Sequence, residues 1–132
     1  MRELTECLNT KRKIDKVDDE ITELKAKIHS PKNQVITGMP RGGTNENAIE
    51  RYLIKLEKKE QYKTALLKYQ SEQWKNAMQK IPNIEEQVKH LLYIRFMQGL
   101  PWKKCANKMN EQYGNWNIGK VFRIYGKINQ IL

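Results

Sequence analysis

The chain has 132 residues, with 25 Lys and Arg against 15 Asp and Glu, a formal net charge of +10 at pH 7. That length fits one domain, or one small domain with a helical appendage, and excludes a large multi-domain enzyme. A hydrophobic share of 39% beside a charged share of 30% leaves material for a small core only, and the basic excess makes an anionic partner the first expectation.

No apolar run exceeds the four residues of "LLYI", so the sequence offers no membrane span. The N-terminal "MRELTECLNTKRK" lacks the apolar stretch of a signal peptide, which points to the cytoplasm. Cys7 and Cys105 stand 98 residues apart, with no second thiol or His at ligand spacing. They read as reduced, apolar side chains, with neither a disulfide nor a metal or other cofactor implied.

Taken in chain order, residues 3–29 predict a helix. Ile14, Val17, Ile21, Leu24 and Ile28 alternate spacings of three and four and form a narrow coiled-coil seam. A seam this narrow is not stable alone, so it pairs with another helix of the chain, with a second copy, or with both. These five residues are the candidates for self-association into a dimer or higher homo-oligomer.

Residues 30–44, "SPKNQVITGMPRGGT", hold two prolines and three glycines and read as a connector. "MPRGG" lacks the spacing of a phosphate-binding loop, while Arg41 could serve as a basic arm on DNA. From Asn45 to Lys80 a long amphipathic helix follows, with Thr44 or Asn45 as its cap. Its apolar and aromatic residues, from Ile49 and Leu53 through Tyr62, Leu67 and Tyr69 to Ala77, read as packing along a hairpin of two long helices. The alternative is a stacking platform for single-stranded nucleic acid.

Pro82 stops that helix, and Asn83 with Glu86 suggests a capping box for a third, running to Gln98. Ile84, Val88, Leu91, Leu92, Arg95 and Phe96 form its stripe, and Gly99 ends it. Pro101 suits the first turn of a fourth helix, with Trp102, Cys105, Ala106 and Met109 inward and Gly114 at its close. Asn117 caps a last helix whose buried face is Val121, Ile124, Tyr125, Ile128 and Leu132. The fold class is therefore all-α: a long helical hairpin or coiled coil over 1–81, joined to a three-helix helix-turn-helix domain over 82–132.

Catalytic arrangements in the sequence are absent or poor. His29 borders the connector, His90 reads as a helix-surface residue, and neither sits in a hydrolase, metalloprotease or kinase motif. A non-enzyme without a small-molecule substrate is expected. The C-terminal stretch carries the stronger signal. From Pro82 onward there are eight Lys and Arg against three acids, and none of the acids lies beyond Glu111. Two short helices joined by a tight turn, with the second capped and basic, suit double-stranded DNA, where each cation near a phosphate releases a counterion.

With Val121, Ile124, Tyr125 and Ile128 inward, the residues Asn117, Gly119, Lys120, Phe122, Arg123 and Lys127 point outward or sideways. Lys120 and Arg123 are the candidate base readers, able to donate to guanine, with Asn117 at the helix start and Gly119 allowing close approach. Lys103, Lys104, Lys108 and Lys127 are the candidate phosphate contacts.

"LLYIRFMQGLPWKKCANKMN" followed by "KVFRIYGKINQIL" resembles the sigma-factor region-4-like helix-turn-helix used in small phage regulators. The matching positions are Gly99, Leu100, Pro101, Trp102, Ala106, Val121, Ile124 and Lys127. Pro101 stands where that family has Ser or Thr, and "NEQYGNWN" is longer than its usual turn. "SPK" and "GMPRGG" between two long helices resemble the N-terminal half of phage late-gene activators of the RinA/ArpU type. The resemblance implies a cofactor-free protein that binds promoter DNA and activates phage or prophage late genes; RNA polymerase is a further candidate partner. Two competing readings are a phage small terminase subunit recognising packaging sites, and a coiled-coil adaptor that binds RNA polymerase or another acidic protein without touching DNA.

Overall fold

The computed structural model describes Arg2–His29 and residues 42–131, with side chains described at 2–29 and 48–130. All regular structure among these residues is helical: α1 (Arg2–His29), α2 (Gly42–Gln79), α3 (Glu86–Leu92, continued by a π-helical turn Tyr93–Met97), α4 (Trp102–Tyr113) and α5 (Ile118–Ile131). No strand occurs among the described residues. The connector lies largely outside them, including Arg41 and most of "MPRGG", as does Leu132. Gly42, Gly43 and Thr44 are already helical, so neither Thr44 nor Asn45 caps α2.

The chain divides into two compact units, one of Lys13–Leu67 and the other of Met1–Arg12 with Lys68–Leu132. In the first unit α1 and α2 pack antiparallel. Asp18 pairs with Lys63 at 2.6 Å, Glu20 pairs with Lys59, and the Lys27 ammonium lies 5.7 Å from the Tyr52 ring centroid. The Lys59 contact holds the Glu20 carboxyl below its ordinary range. Ile14, Val17, Ile21 and Leu24 are buried and Ile28 is half-buried. The seam assigned to self-association is thus covered within the chain itself, because an antiparallel hairpin supplies the second helix that a coiled-coil seam requires. The opposing helix is less economical than its spacing suggests. Leu53, Tyr62 and Leu67, all expected to pack along the hairpin, remain exposed, as does Ile54, which lay outside the expected stripe.

The second unit holds two apolar clusters. One gathers Leu4, Cys7 and Leu8 of α1, Ala77 and Ile81, Leu92 and Phe96, and Ile128 of α5. The other joins Leu91, Ile94, Cys105, Ala106, Met109, Trp116 and Val121, the core of the α3–α4–α5 group. Here α2 turns polar groups inward: Gln70 and Gln73 are buried beside Ala77, while Tyr69 is exposed. Thr10 Oγ1 lies 2.8 Å from Gln73 Oε1 and 3.0 Å from the Glu6 carbonyl. Gln70 Nε2 donates to the carbonyls of Cys7 and Met97, both at 3.2 Å. Met97 closes the π-helical turn and the chain leaves the helix at Gly99, so its carbonyl is one of the helix-end acceptors that need a donor from elsewhere.

Three local expectations are corrected. Helix α3 starts at Glu86 with Glu85 in the cap position and no side-chain cap bond, so Asn83 and Glu86 do not form a capping box. Its end widens into the π-helical turn, in which the N–H of Gln98 donates to Tyr93 O and that of Leu100 to Ile94 O. Ile94, three residues after Leu91 and outside the predicted stripe, is buried with it in one cluster. Pro101 occupies the cap position of α4.

Candidate nucleic-acid interface

Helix α4 runs through Asn110–Tyr113, so the link to α5 is only the four residues Gly114–Asn117. Sequence chemistry explains the tight turn. Gly114 has φ 75° and ψ 160°, a region essentially restricted to glycine, and its N–H donates to Asn110 O at 2.9 Å. Asn115 follows at φ 62°, a left-handed conformation that Asn tolerates better than most side chains. Asn110 Oδ1 accepts the Trp116 backbone N–H at 3.3 Å, and the Trp116 indole N–H donates to Gln87 Oε1 at 3.1 Å. Trp116 is 5% exposed and belongs to the core. The sequence reading missed this anchor, because a lone Trp between two helices carries no periodicity; its only signal was a large apolar residue inside a turn of polar ones.

The predicted residues fall into two groups. Lys103, Lys104 and Lys108 on α4, and Arg123 and Lys127 on α5, are exposed on consecutive helices that share one core. Asn117 and Lys120 are engaged locally. Asn117 Oδ1 accepts the Lys120 backbone N–H at 2.8 Å, the helix cap expected from its position. The Lys120 ammonium lies 4.3 Å from the Trp116 ring centroid and donates to Asn115 O at 3.4 Å. Arg123 is therefore the outward cation on the first two turns of α5. Gly119 is exposed, and a Cβ there would meet Asn117 Oδ1 at 3.3 Å; one at Gly126 would meet nothing within 4 Å.

An aromatic group sits where α4 begins. The Trp102 and Tyr125 rings are 4.7 Å apart, Trp102 and Phe96 are 5.9 Å apart, and the Arg95 guanidinium lies 4.8 Å from the Trp102 centroid. Arg95 also donates from Nη1 to Leu100 O at 3.0 Å. Phe122 touches the outer edge of this group, 6.1 Å from Trp102, and is 52% exposed. His90 faces Tyr113, with Nδ1 2.9 Å from the hydroxyl.

Elsewhere in this unit an open cleft of about 370 Å³ is lined by Trp74, Lys75, Met78, Gln79 and Lys89. Among the described residues no group of three His, Cys, Asp or Glu could hold a metal ion, and no helix is long and apolar enough to cross a membrane. Burial raises the thiols of both cysteines, Cys7 to about 11. Compared with protein-family models, with curated proteins and with solved structures, the chain finds no match.

Proposed function

We propose that this protein is a sequence-specific double-stranded-DNA-binding transcriptional regulator, a phage or prophage late-gene activator of the RinA/ArpU type acting in the cytoplasm of a bacterial host, with α5 in the major groove. The observation that carries the reading is the α4–turn–α5 unit. It exposes Lys103, Lys104, Lys108, Arg123 and Lys127, and no acid lies beyond Glu111. Carboxylates near the phosphates would repel them, whereas each of these cations adds a contact that releases a counterion. The chemistry is binding and not bond-making. Lysines of α4 grip the backbone and α5 reads base edges.

Two copies would address half-sites about one helical turn apart. With the Ile14–Ile28 seam consumed inside the chain, Leu53 and Ile54 are apolar residues of α2 left for a second copy. A second reading, docking of an acidic protein segment such as one on RNA polymerase, draws on the cleft between Lys75 and Lys89, where Trp74 and Met78 provide an apolar floor.

The test is fluorescence anisotropy of the full chain on duplexes tiling its own genomic neighbourhood, at two salt concentrations, beside the Arg123→Ala variant. The expected result is one site bound about a thousandfold better than bulk DNA, with that preference lost in the variant. Weak, uniform binding that the variant leaves unchanged would refute the reading.

A further inference from the structure

Two apolar side chains on α5 are exposed where a basic surface alone would need none. Ile118 is 40% exposed and Phe122 is 52% exposed. They stand four residues apart and so share one face of the helix, and Arg123 follows Phe122 by one residue, about 100° around the axis. Single exposed hydrophobics are ordinary on protein surfaces. A pair at helical spacing beside an outward Arg, on the capped helix of a basic unit, is a composite surface with an apolar edge and a cationic edge. Phe122 is moreover held in place, because its ring lies against Trp102, which is itself fixed by Tyr125, Phe96 and the Arg95 guanidinium. A side chain already confined in this way loses little freedom when it meets a partner.

We infer that Ile118 and Phe122 recognise the C5-methyl groups of thymines in the major groove, beside the base or bases that Arg123 addresses. The inference rests on the DNA-binding reading and deepens it by naming what the site prefers. The thymine methyl is the apolar feature among the base edges of that groove; the other edges offer hydrogen-bond donors and acceptors. Lysine and arginine can cover a methyl group only with their flexible stems, whereas Phe and Ile offer a wholly apolar surface to it. The occupant is chosen by charge: the same helix and its neighbour expose Arg123, Lys127, Lys103, Lys104 and Lys108, which an apolar partner surface would leave unpaired. The preferred site therefore holds thymines next to a guanine contact.

The experiment selects a duplex from a randomised library with the full chain, then replaces each thymine of the selected duplex, one at a time, by deoxyuridine, which removes only the methyl. Wild-type protein is expected to lose about three- to fivefold in affinity at each contacted thymine. Phe122→Ala, checked for folding by circular dichroism and a urea midpoint, is expected to bind the thymine and deoxyuridine duplexes alike at one such position. A selected duplex that Arg123→Ala no longer prefers, but on which every deoxyuridine replacement is silent for the wild type, would overturn this inference and leave the DNA reading standing. A folded Phe122→Ala and a folded Ile118→Ala that both keep full methyl discrimination would also overturn it. Failure of the library to yield any enriched duplex would overturn the inference together with the DNA reading. Since the deoxyuridine series uses unaltered protein, misfolding of a variant does not decide the outcome.

Discussion

The Lys120 ammonium lies over the Trp116 ring, 4.3 Å from its centroid, while the Trp116 indole is itself tied to Gln87. Lys120 thus spends its charge on the turn that precedes α5. Lys120→Ala is expected to lower stability by about 0.5–1 kcal/mol, the worth of a partly exposed cation–π contact. It should change sequence preference less than Arg123→Ala does. Urea titration and anisotropy on a selected duplex separate the two effects; equal loss of discrimination in both variants would contradict this assignment.

Gly114 and Gly126 both have open space where a Cβ would stand, yet their substitutions are expected to act in opposite directions. Gly114→Ala forces an L side chain into φ 75°, ψ 160° and should cost about 1–3 kcal/mol. Gly126→Ala improves an exposed helix interior and should add up to about 1 kcal/mol. Thermal denaturation of the two variants gives the comparison directly.

Asn117 couples the cap to the surface charge. Asn117→Ala removes the acceptor of the Lys120 N–H and should destabilise the chain by about 0.5–2 kcal/mol. Asn117→Asp keeps the acceptor and should fold normally. Its carboxylate would nevertheless stand in the acid-free stretch beyond Glu111 and weaken duplex binding, most clearly at low salt.

Gln70 is the donor that serves both Cys7 O and Met97 O in the interior. Gln70→Leu keeps the volume and removes the side-chain donor of Met97 O, while Cys7 O, inside α1, keeps its helical N–H partner; the expected cost is about 1–3 kcal/mol for the Met97 acceptor where water cannot reach it. Denaturant unfolding measures this cost; a neutral result would mean that water replaces the amide.

The two thiols offer a probe of the same interior. Cys7 and Cys105 are fully buried, and burial raises both, Cys7 to about 11, so neither is thiolate at pH 7–8 in the folded chain. Alkylation by iodoacetamide is expected to be slow until denaturant is added. The sign of the pH effect follows: the raised thiol is neutral when folded, so its contribution to stability is full below the unfolded value of 9.0 and declines as pH rises toward 11.

Local pattern carried most of the helical architecture. The spacing of Ile14, Val17, Ile21 and Leu24, the breaks at Pro82, Gly99 and Gly114, and the cap at Asn117 are properties of neighbouring residues, so the helices and their order could be read from the chain alone. The basic character of α4 and α5 was legible for the same reason. Tertiary structure decided what depends on distant partners. A coiled-coil seam is compatible with a partner helix in the same chain or in another, and the pairing of Asp18 with Lys63 and Glu20 with Lys59 shows the former. Ile94 joins the core of the α3–α4–α5 group, and Gln70 reaches across to the helix-end carbonyl of Met97. The candidate site changed in the same way. Asn117 and Lys120 look like outward readers on a helical wheel, but the wheel contains no Trp116 to draw Lys120 back and no Trp102 to hold Phe122 out.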